Sequence, residues 1–419
     1  MLNNIHFRCL QNYNIEPYEK IQPLNPFYKK TGLHIAMFTN NYLPFIGGVP
    51  LSIDRMASEL RRQGHRVFIF APEYPTNNYE DHEDTIRCRL LKLKYLKGAP
   101  FHYAISDIFS SYIEEIFIKL DVDIVHVHHP YWMGKKGMQM AKKYKIPIVY
   151  TYHTKFEKYI GSIPYVNEKI GQRLSDYIVK HFSSNCSYIF APSESAKEIL
   201  KNLGIATPIE ILPTGIDLSH YNIESQEIKK IRKNFLKTSE ILLFCVSRLS
   251  KEKNLLFLLE GLKYVKQHTA IKFKCIIAGD GPEKTNLEKY ILENKLNSEI
   301  YLLGSISPKE INKYYMASDI FIFSSTAETQ GMVLLEAMAA SLPVVAVSSP
   351  GVNDIIQDGI NGFKTSNDIK EWGEKLISLM ENPNKLQKIS LNALETAKRY
   401  TIGSIGKKAI SIYKQLIRT

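Results

Sequence analysis

Cysteine, tryptophan and long apolar runs are what this 419-residue chain has least of. Its five cysteines, Cys9, Cys88, Cys186, Cys245 and Cys275, are an odd number with no Cys-x-x-Cys pair. Neither a disulfide framework nor a zinc cluster is expected, and a reducing compartment, the cytoplasm, fits that usage. No stretch reaches the ~18 consecutive apolar residues that crossing a bilayer requires, and the first thirty residues lack the apolar core of a signal peptide. With 44% hydrophobic and 23% charged residues and no low-complexity tract, wholesale disorder is excluded. Acidic residues are the minority charge, leaving a net +12, which admits a nucleic acid, an anionic membrane or merely a well-solvated surface. The excess divides evenly, +6 on residues 1–216 and +6 on residues 217–419. No concentrated basic tract marks a nucleic-acid partner.

The length exceeds what one hydrophobic core usually organises, so two domains are expected. From residue 33 the chain repeats one unit, a short β-branched and apolar run followed by an amphipathic segment, which is how parallel βαβ architecture reads. The first set of runs covers 33–39, 67–71, 124–128, 148–151 and 188–192. After the turn-rich Pro213-Thr214-Gly215-Ile216-Asp217 the pattern restarts at 241–247, 273–278, 300–303, 320–324 and 344–347. The expected division is an N-terminal arm over 1–30, a domain over 31–216, a second over 217–395, and a terminal helix over 396–419 that packs back on the first domain. The expected fold class is α/β, two Rossmann-like, doubly wound parallel sheets facing a central cleft where ligands bind.

Four segments at strand ends carry chemistry. In Ser324-Ser325-Thr326-Ala327-Glu328-Thr329-Gln330-Gly331-Met332-Val333-Leu334-Leu335-Glu336 a strand passes through a loop into a helix, whose free N–H groups and positive dipole end make an anion site. Glu328 lies outside that helix and Glu336 inside it, so two carboxylates flank the site and can accept hydroxyl hydrogen bonds. Isolated glutamates there are more often a dipole-favoured acid and a solvated side chain. Val246-Ser247-Arg248-Leu249-Ser250-Lys251-Glu252-Lys253 puts cations at a second helix mouth, where a departing diphosphate develops negative charge. Asn40-Asn41-Tyr42-Leu43-Pro44-Phe45-Ile46-Gly47-Gly48 offers paired glycines for close backbone approach, a signal that is usually only a turn. Tyr150-Thr151-Tyr152-His153-Thr154-Lys155 places His153 at a strand end facing the cleft, and the same position argument covers His128 and His129.

The two-glutamate segment closely resembles the motif of retaining family 4 glycosyltransferases, enzymes of the GT-B fold, and matching residues extend over nearly the whole chain except its N-terminal arm. The resemblance implies that Glu328 contacts a donor sugar and Glu336 the nucleoside ribose. It implies that the backbone at Thr329, Gln330, Gly331 and Met332 holds sugar and phosphate, and that Arg248 and Lys253 stabilise the leaving diphosphate. Gly47 and Gly48 inherit a place beside that diphosphate, and His153 a place near the reacting sugar. Gly279 borders the nucleotide pocket, while Gly304 and Ile306 meet the base. His153, Glu328, Arg248 and Lys253 form the expected catalytic set.

His128-His129-Pro130, Tyr152-His153-Thr154-Lys155-Phe156-Glu157 and Thr326-Ala327-Glu328-Thr329-Gln330-Gly331 look most like the bacterial diacylglycerol glucosyltransferases of that family. This implies a UDP-glucose donor, a lipid acceptor met by His128, His129 and Lys155, and peripheral docking on the inner face of an anionic membrane. Mixed basic and apolar residues at 87–97 and 135–145 are the candidate docking segments, the former being equally readable as a half-buried strand. A soluble or polysaccharide acceptor, and a catalytically silent scaffold, are the competing readings.

No metal or other cofactor is expected. His129 and His153 are too far apart for one metal-binding helix and lack an acidic partner at helical offset, and Asp121-Val122-Asp123 precedes its strand. Gly279-Asp280-Gly281-Pro282-Glu283 follows a strand, but Lys284 stands where a dinucleotide fingerprint needs its third glycine, which removes the oxidoreductase reading.

Overall fold

The computed structural model describes residues 30–45, 47–73, 79–88, 110–153, 168–237, 240–328 and 330–418. Lys155, Thr329, residues 1–29 of the arm and residues 89–97 of one docking segment lie outside the described residues.

The first sheet is built from β1 (His34–Phe38), β2 (Arg66–Pro72), β3 (Thr85–Cys88), β4 (Ile124–Val127), β5 (Ile148–Thr151), β6 (Tyr188–Ala191) and β7 (Ile209–Ile211), in the order β3-β2-β1-β4-β5-β6-β7. The second contains β8 (Ile241–Val246), β9 (Phe273–Ala278), β10 (Ile300–Gly304), β11 (Ile320–Phe323), β12 (Val344–Val347) and β13 (Gly362–Thr365), in the order β10-β9-β8-β11-β12-β13. All pairings are parallel. Both sheets are therefore doubly wound, and each reverses direction beside its first strand, at β1/β4 and β8/β11, which opens a crevice at the carboxyl ends.

Continuous apolar runs arise because both sheet faces are covered. On β1, Ala36 and Phe38 enter one buried cluster while Ile35 and Met37 enter another. On β8, Leu243 and Cys245 face one core and Leu242 and Phe244 the opposite one. The three strands that apolarity missed are edge strands, and each carries polar residues or glycine: Thr85-Ile86-Arg87-Cys88, Ile209-Glu210-Ile211 and Gly362-Phe363-Lys364-Thr365. Arg87 of the proposed docking segment thus belongs to β3 and bonds Asp81 and the Leu43 carbonyl. Cys88, Cys186, Cys245 and Cys275 are buried free thiols.

Asp121 and Asp123 have a structural task. Lys30 Nζ reaches a carboxylate oxygen of each at 2.8 Å, and the His34 amide donates to Asp123 Oδ2 at 2.7 Å. They pin the entry to β1 away from the carboxyl ends of the strands.

The last helix, Ile402–Arg418, buries Ile405, Ala409, Ile410, Ile412 and Tyr413 in the same cluster as Ile35 and Met37 of β1. It packs beside the helix Gly48–Arg62, where Gln63 Nε2 donates to the Gly403 carbonyl at 3.3 Å. The terminal helix thereby closes the first sheet with residues from the far end of the chain. Its Tyr413 hydroxyl bonds His126 Nδ1 at 2.8 Å in a fully buried position. Tyr413→Phe is expected to lower stability by about 1–2 kcal/mol by leaving His126 Nδ1 unpaired, measured as a lower urea midpoint with unchanged slope.

Candidate active site

Predicted positions from both halves, among them Gln330, Met332, Gly48, His128 and His153, are brought together where the two switch points face each other. At the second sheet, Glu328 follows β11 and Gly331 sits in the left-handed conformation, φ +71°, as N-cap of the helix Met332–Ala339. A β-carbon there would approach Leu334 Cδ1 to 2.9 Å, so the turn requires glycine twice over. The Gly331 amide donates to Glu328 Oε1 at 3.3 Å, and Lys253 Nζ donates to Glu328 Oε2 at 3.0 Å. Lys253 stands on the single turn Lys251–Lys253 after β8. Its carbonyl accepts from Ser324 Oγ at 2.8 Å, and the ammonium lies 5.9 Å from the Phe323 ring centre. Two sequence segments 75 residues apart are thus fastened into one cation–carboxylate unit, with about a fifth of each side chain exposed.

Glu336 is nearly buried, which overturns the bland view of it as a solvated side chain. Its Oε1 accepts from Arg55 Nη2 at 2.6 Å and its Oε2 from the Tyr315 hydroxyl at 3.0 Å. Arg55 belongs to the helix Gly48–Arg62 of the first sheet's half, so this is a contact across the cleft. Burial opposes the charge on Arg55, but Glu336 outweighs it and the guanidinium stays ionised. Burial and the same carboxylate push the Tyr315 hydroxyl well above its ordinary range.

A second bridge joins Gln330 to Thr214. Thr214 Oγ1 donates to Gln330 Oε1 at 2.9 Å and Gln330 Nε2 donates to the Thr214 carbonyl at 3.3 Å. A third pairs Ser195 Oγ with Asp354 Oδ1 at 3.1 Å. Gly47 is the extended N-cap of the helix Gly48–Arg62. A β-carbon added at Gly48 would lie 3.9 Å from Met332 Sδ, so the diglycine loop and the mouth of the helix Met332–Ala339 are neighbours.

On the first sheet, His128 Nδ1 and His153 Nε2 share a hydrogen bond of 2.9 Å. His128 lines a cavity of about 20 Å³ with His153, Thr214 and Gln330, room for roughly one water, and its Nε2 is buried with no hydrogen-bond partner among the described residues. His129 is turned instead toward its own domain, its Nδ1 accepting from the Asn40 amide at 3.2 Å. His126, which no motif indicated, lies with its ring centre 4.3 Å from that of His128 in a tilted pair and bonds Thr151 Oγ1 at 2.6 Å. Burial holds His126, His129 and His153 down at about 3 and His128 well below its usual value. All four are neutral imidazoles at physiological pH.

Arg248 is exposed past the end of β8 and contributes its charge to Glu252 nearby. Gly279, φ +139°, donates its amide to the Gly304 carbonyl at 2.8 Å. Any β-carbon on Gly279 would meet the Ser247 carbonyl oxygen at 1.8 Å, which is why glycine stands there without a dinucleotide fingerprint. Pro282 lies in a turn, and the helix starts at Lys284. Ile306 is half-buried against the second core. A larger hollow of about 530 Å³ between Tyr264, His268, Glu374 and Glu381 gathers none of these residues. Among the described residues no group of three or more His, Cys, Asp and Glu is placed to hold a metal ion.

Arg55, Thr214, Tyr315 and His126 escaped sequence reasoning because no local spacing connects them to their partners. Arg55 reads there as one more basic residue on an amphipathic helix.

Comparison with known proteins follows the same division. Residues 46–220 match the family described as Glycosyltransferase Family 4 and residues 226–396 that described as Glycosyl transferases group 1. The alpha-monoglucosyldiacylglycerol synthase of Acholeplasma laidlawii is 30% identical over 396 residues, covering 92% of this chain and 98% of that protein. The synthase of the same name from Streptococcus pneumoniae is 32% identical over 335 residues, covering 79% and 74%. Among solved structures, Anabaena HepE in complex with UDP and glucose superposes with a TM-score of 0.72 at 19% identity, covering 91% of this chain and all of that one. That likeness fixes the fold as GT-B.

Proposed function

The chain belongs to glycosyltransferase family 4, and from that premise we propose that it transfers a glucosyl group from UDP-glucose to a diacylglycerol-type lipid, with retention and without a metal ion, at an anionic membrane surface. The observation that carries the acceptor is the similarity, over nearly all of its length, to a synthase named for glucosylated diacylglycerol. The donor reading takes support from the solved relative that holds UDP and glucose.

The geometry suits that chemistry. Breaking the bond between the sugar's anomeric carbon and the diphosphate leaves negative charge on the phosphate oxygens. In this reading Lys253, Arg248 and the amides at the start of the helix Met332–Ala339 receive it, supported by the fixed place of Lys253 beside that helix mouth. Glu328 orients Lys253 and keeps a carboxylate beside the sugar, and Glu336 takes the ribose. Neutral His153, bonded to His128, presents an imidazole that polarises a hydroxyl without placing a competing cation beside the diphosphate. In this reading residues 217–395 carry the donor and residues 31–216 the acceptor.

Docking by residues 135–145 is weaker than their composition implied. Lys136 is buried, Lys142 bonds Asn185 and Lys143 pairs with Glu114. The helix Glu168–Ser183 offers a better surface, with Ile170, Leu174 and Tyr177 exposed at 63%, 49% and 67% along one face and Arg173 and Lys180 exposed beside them. Among the described residues no helix is long and apolar enough to cross a membrane, so adsorption of such a face is the available mode.

The test is UDP release from UDP-glucose in EDTA, comparing anionic mixed micelles with and without diacylglycerol. Release that requires the lipid, with a glucosylated lipid as product, is the expected outcome. Equal release in both, or transfer to a soluble sugar alone, removes the lipid acceptor and leaves the family standing.

A further inference from the structure

Among the described residues, Arg55 is the cation that reaches from the first half of the molecule across the cleft to a carboxylate expected to bind the donor, and only part of its hydrogen-bonding fork is used. Nη2 donates to Glu336 Oε1 at 2.6 Å, while Nη1 is shut off from solvent and has no hydrogen-bond partner among the described residues. An unsatisfied guanidinium donor is uncommon, because leaving it unpaired forfeits the full hydration of that group. Its place beside Glu336 suggests what completes it.

Glu336 has capacity to spare. A carboxylate offers about four lone-pair sites, and Arg55 and Tyr315 take one each, on different oxygens. With Oε1 and Oε2 fixed from opposite sides, the carboxylate cannot rotate, and its remaining lone pairs keep one direction. A ribose hydroxyl that donates to Glu336 still needs a donor for its own lone pairs, since a hydroxyl is one donor and two acceptors. Nη1 shares its guanidinium carbon with the Nη2 that touches Glu336, so a hydroxyl held by Glu336 meets Nη1 once the nucleotide displaces the side chains that now shield it. Arg55 and Glu336 are then a matched donor and acceptor for one hydroxyl group, contributed by the two halves of the molecule.

We infer that Arg55 is a specificity-determining residue for the donor, holding Glu336 in its binding orientation and donating Nη1 to a ribose hydroxyl of the nucleotide. This rests on the donor reading above. It also gives the donor a role in joining the halves, because a nucleotide that engages both residues strengthens the contact between them.

The experiment is calorimetric binding of UDP and of its 2′-deoxy and 3′-deoxy analogues to the full-length protein, its Arg55→Gln variant and its Arg55→Lys variant. Wild type should prefer UDP over at least one deoxy analogue by about tenfold or more, as expected for loss of a charge-assisted hydrogen bond. In Arg55→Gln, UDP binding should weaken by about tenfold and that preference should shrink to within about twofold. Arg55→Lys keeps the charge but not the planar fork and should recover affinity only in part. A merely structural Arg55 would weaken all three nucleotides equally and leave the preference intact, which would overturn the inference. So would Arg55→Gln binding UDP as wild type does. Failure of wild type to bind UDP at all would instead sink the donor reading, and this inference with it.

Discussion

Lys253→Ala is expected to lower glucosyl transfer about a thousandfold, at the upper end of what loss of one preorganised transition-state donor produces, while the protein keeps its fold. The ammonium is anchored at three points: its carbonyl by Ser324 Oγ, its charge by Glu328 at 3.0 Å, and its approach by the Phe323 ring. That anchoring removes most of the entropy a flexible lysine would otherwise lose at the moment of reaction. Alanine deletes the cation and leaves Glu328 beside the departing diphosphate, so an attraction is replaced by a like-charge repulsion. The loss should therefore fall on kcat more than on donor KM, since the charge it answers is largest in the transition state. Stability should change little, because the residue sits on a loop turn with 21% of its side chain exposed.

Glu328→Gln should reduce turnover by a smaller factor, and the double variant should fall short of the product of the two single losses, because the pair acts as one unit. UDP release with lipid product quantified, alongside thermal midpoints, checks each. Near-normal turnover in Lys253→Ala would remove that residue from the leaving-group site.

Much of the architecture was legible because it depends on local pattern. Buried parallel strands must be largely apolar on both faces, as β1, β4, β8 and β11 are apart from His34 and His126, so the runs at 33–39, 124–128, 241–247 and 320–324 stand out. β3, β7 and β13 lie on sheet edges, where one side of the strand meets a loop or solvent and the apolar signal is diluted by Arg87, Glu210 and Lys364. The site divides in the same way. Glu328, Gly331 and Lys253 stood out because strand–loop–helix chemistry is written within a dozen residues. Arg55 with Glu336, Thr214 with Gln330, and Tyr413 with His126 are separated by 281, 116 and 287 positions. No spacing rule reaches that far, and those pairs appear only when the chain is folded.

The buried histidines carry the second large expectation, a steep loss of stability in mild acid. His126, His129 and His153 are held at about 3 and His128 well below its usual value, by burial first and, for His126, His128 and His129, by neighbouring histidines second. Above pH ~6.5 both the folded and unfolded chains carry these imidazoles neutral, so they contribute no pH dependence there. Below that value the unfolded chain binds protons that the folded chain refuses, and stability falls as pH falls, down to about pH 3, where His126, His129 and His153 protonate in the folded chain too. One histidine contributes at most about 1.4 kcal/mol per pH unit in that window and four together at most about 5.5 kcal/mol per pH unit, against a typical total stability of about 5–15 kcal/mol. The half built on the first sheet should therefore unfold between about pH 6 and pH 5, seen as a sharp drop in urea midpoint across pH 7.5, 6.5 and 5.5. His126→Gln should lower the midpoint at neutral pH, by breaking the bonds to Tyr413 and Thr151, yet make the acid slope shallower by roughly a quarter. Catalysis should follow a different rule. With His153 neutral from about pH 4 upward, kcat/KM should show no acid limb near pH 6.5 while the protein stays folded. A limb there without loss of structure would mean that a histidine titrates in the working site and that the packing around His128 and His153 opens in solution.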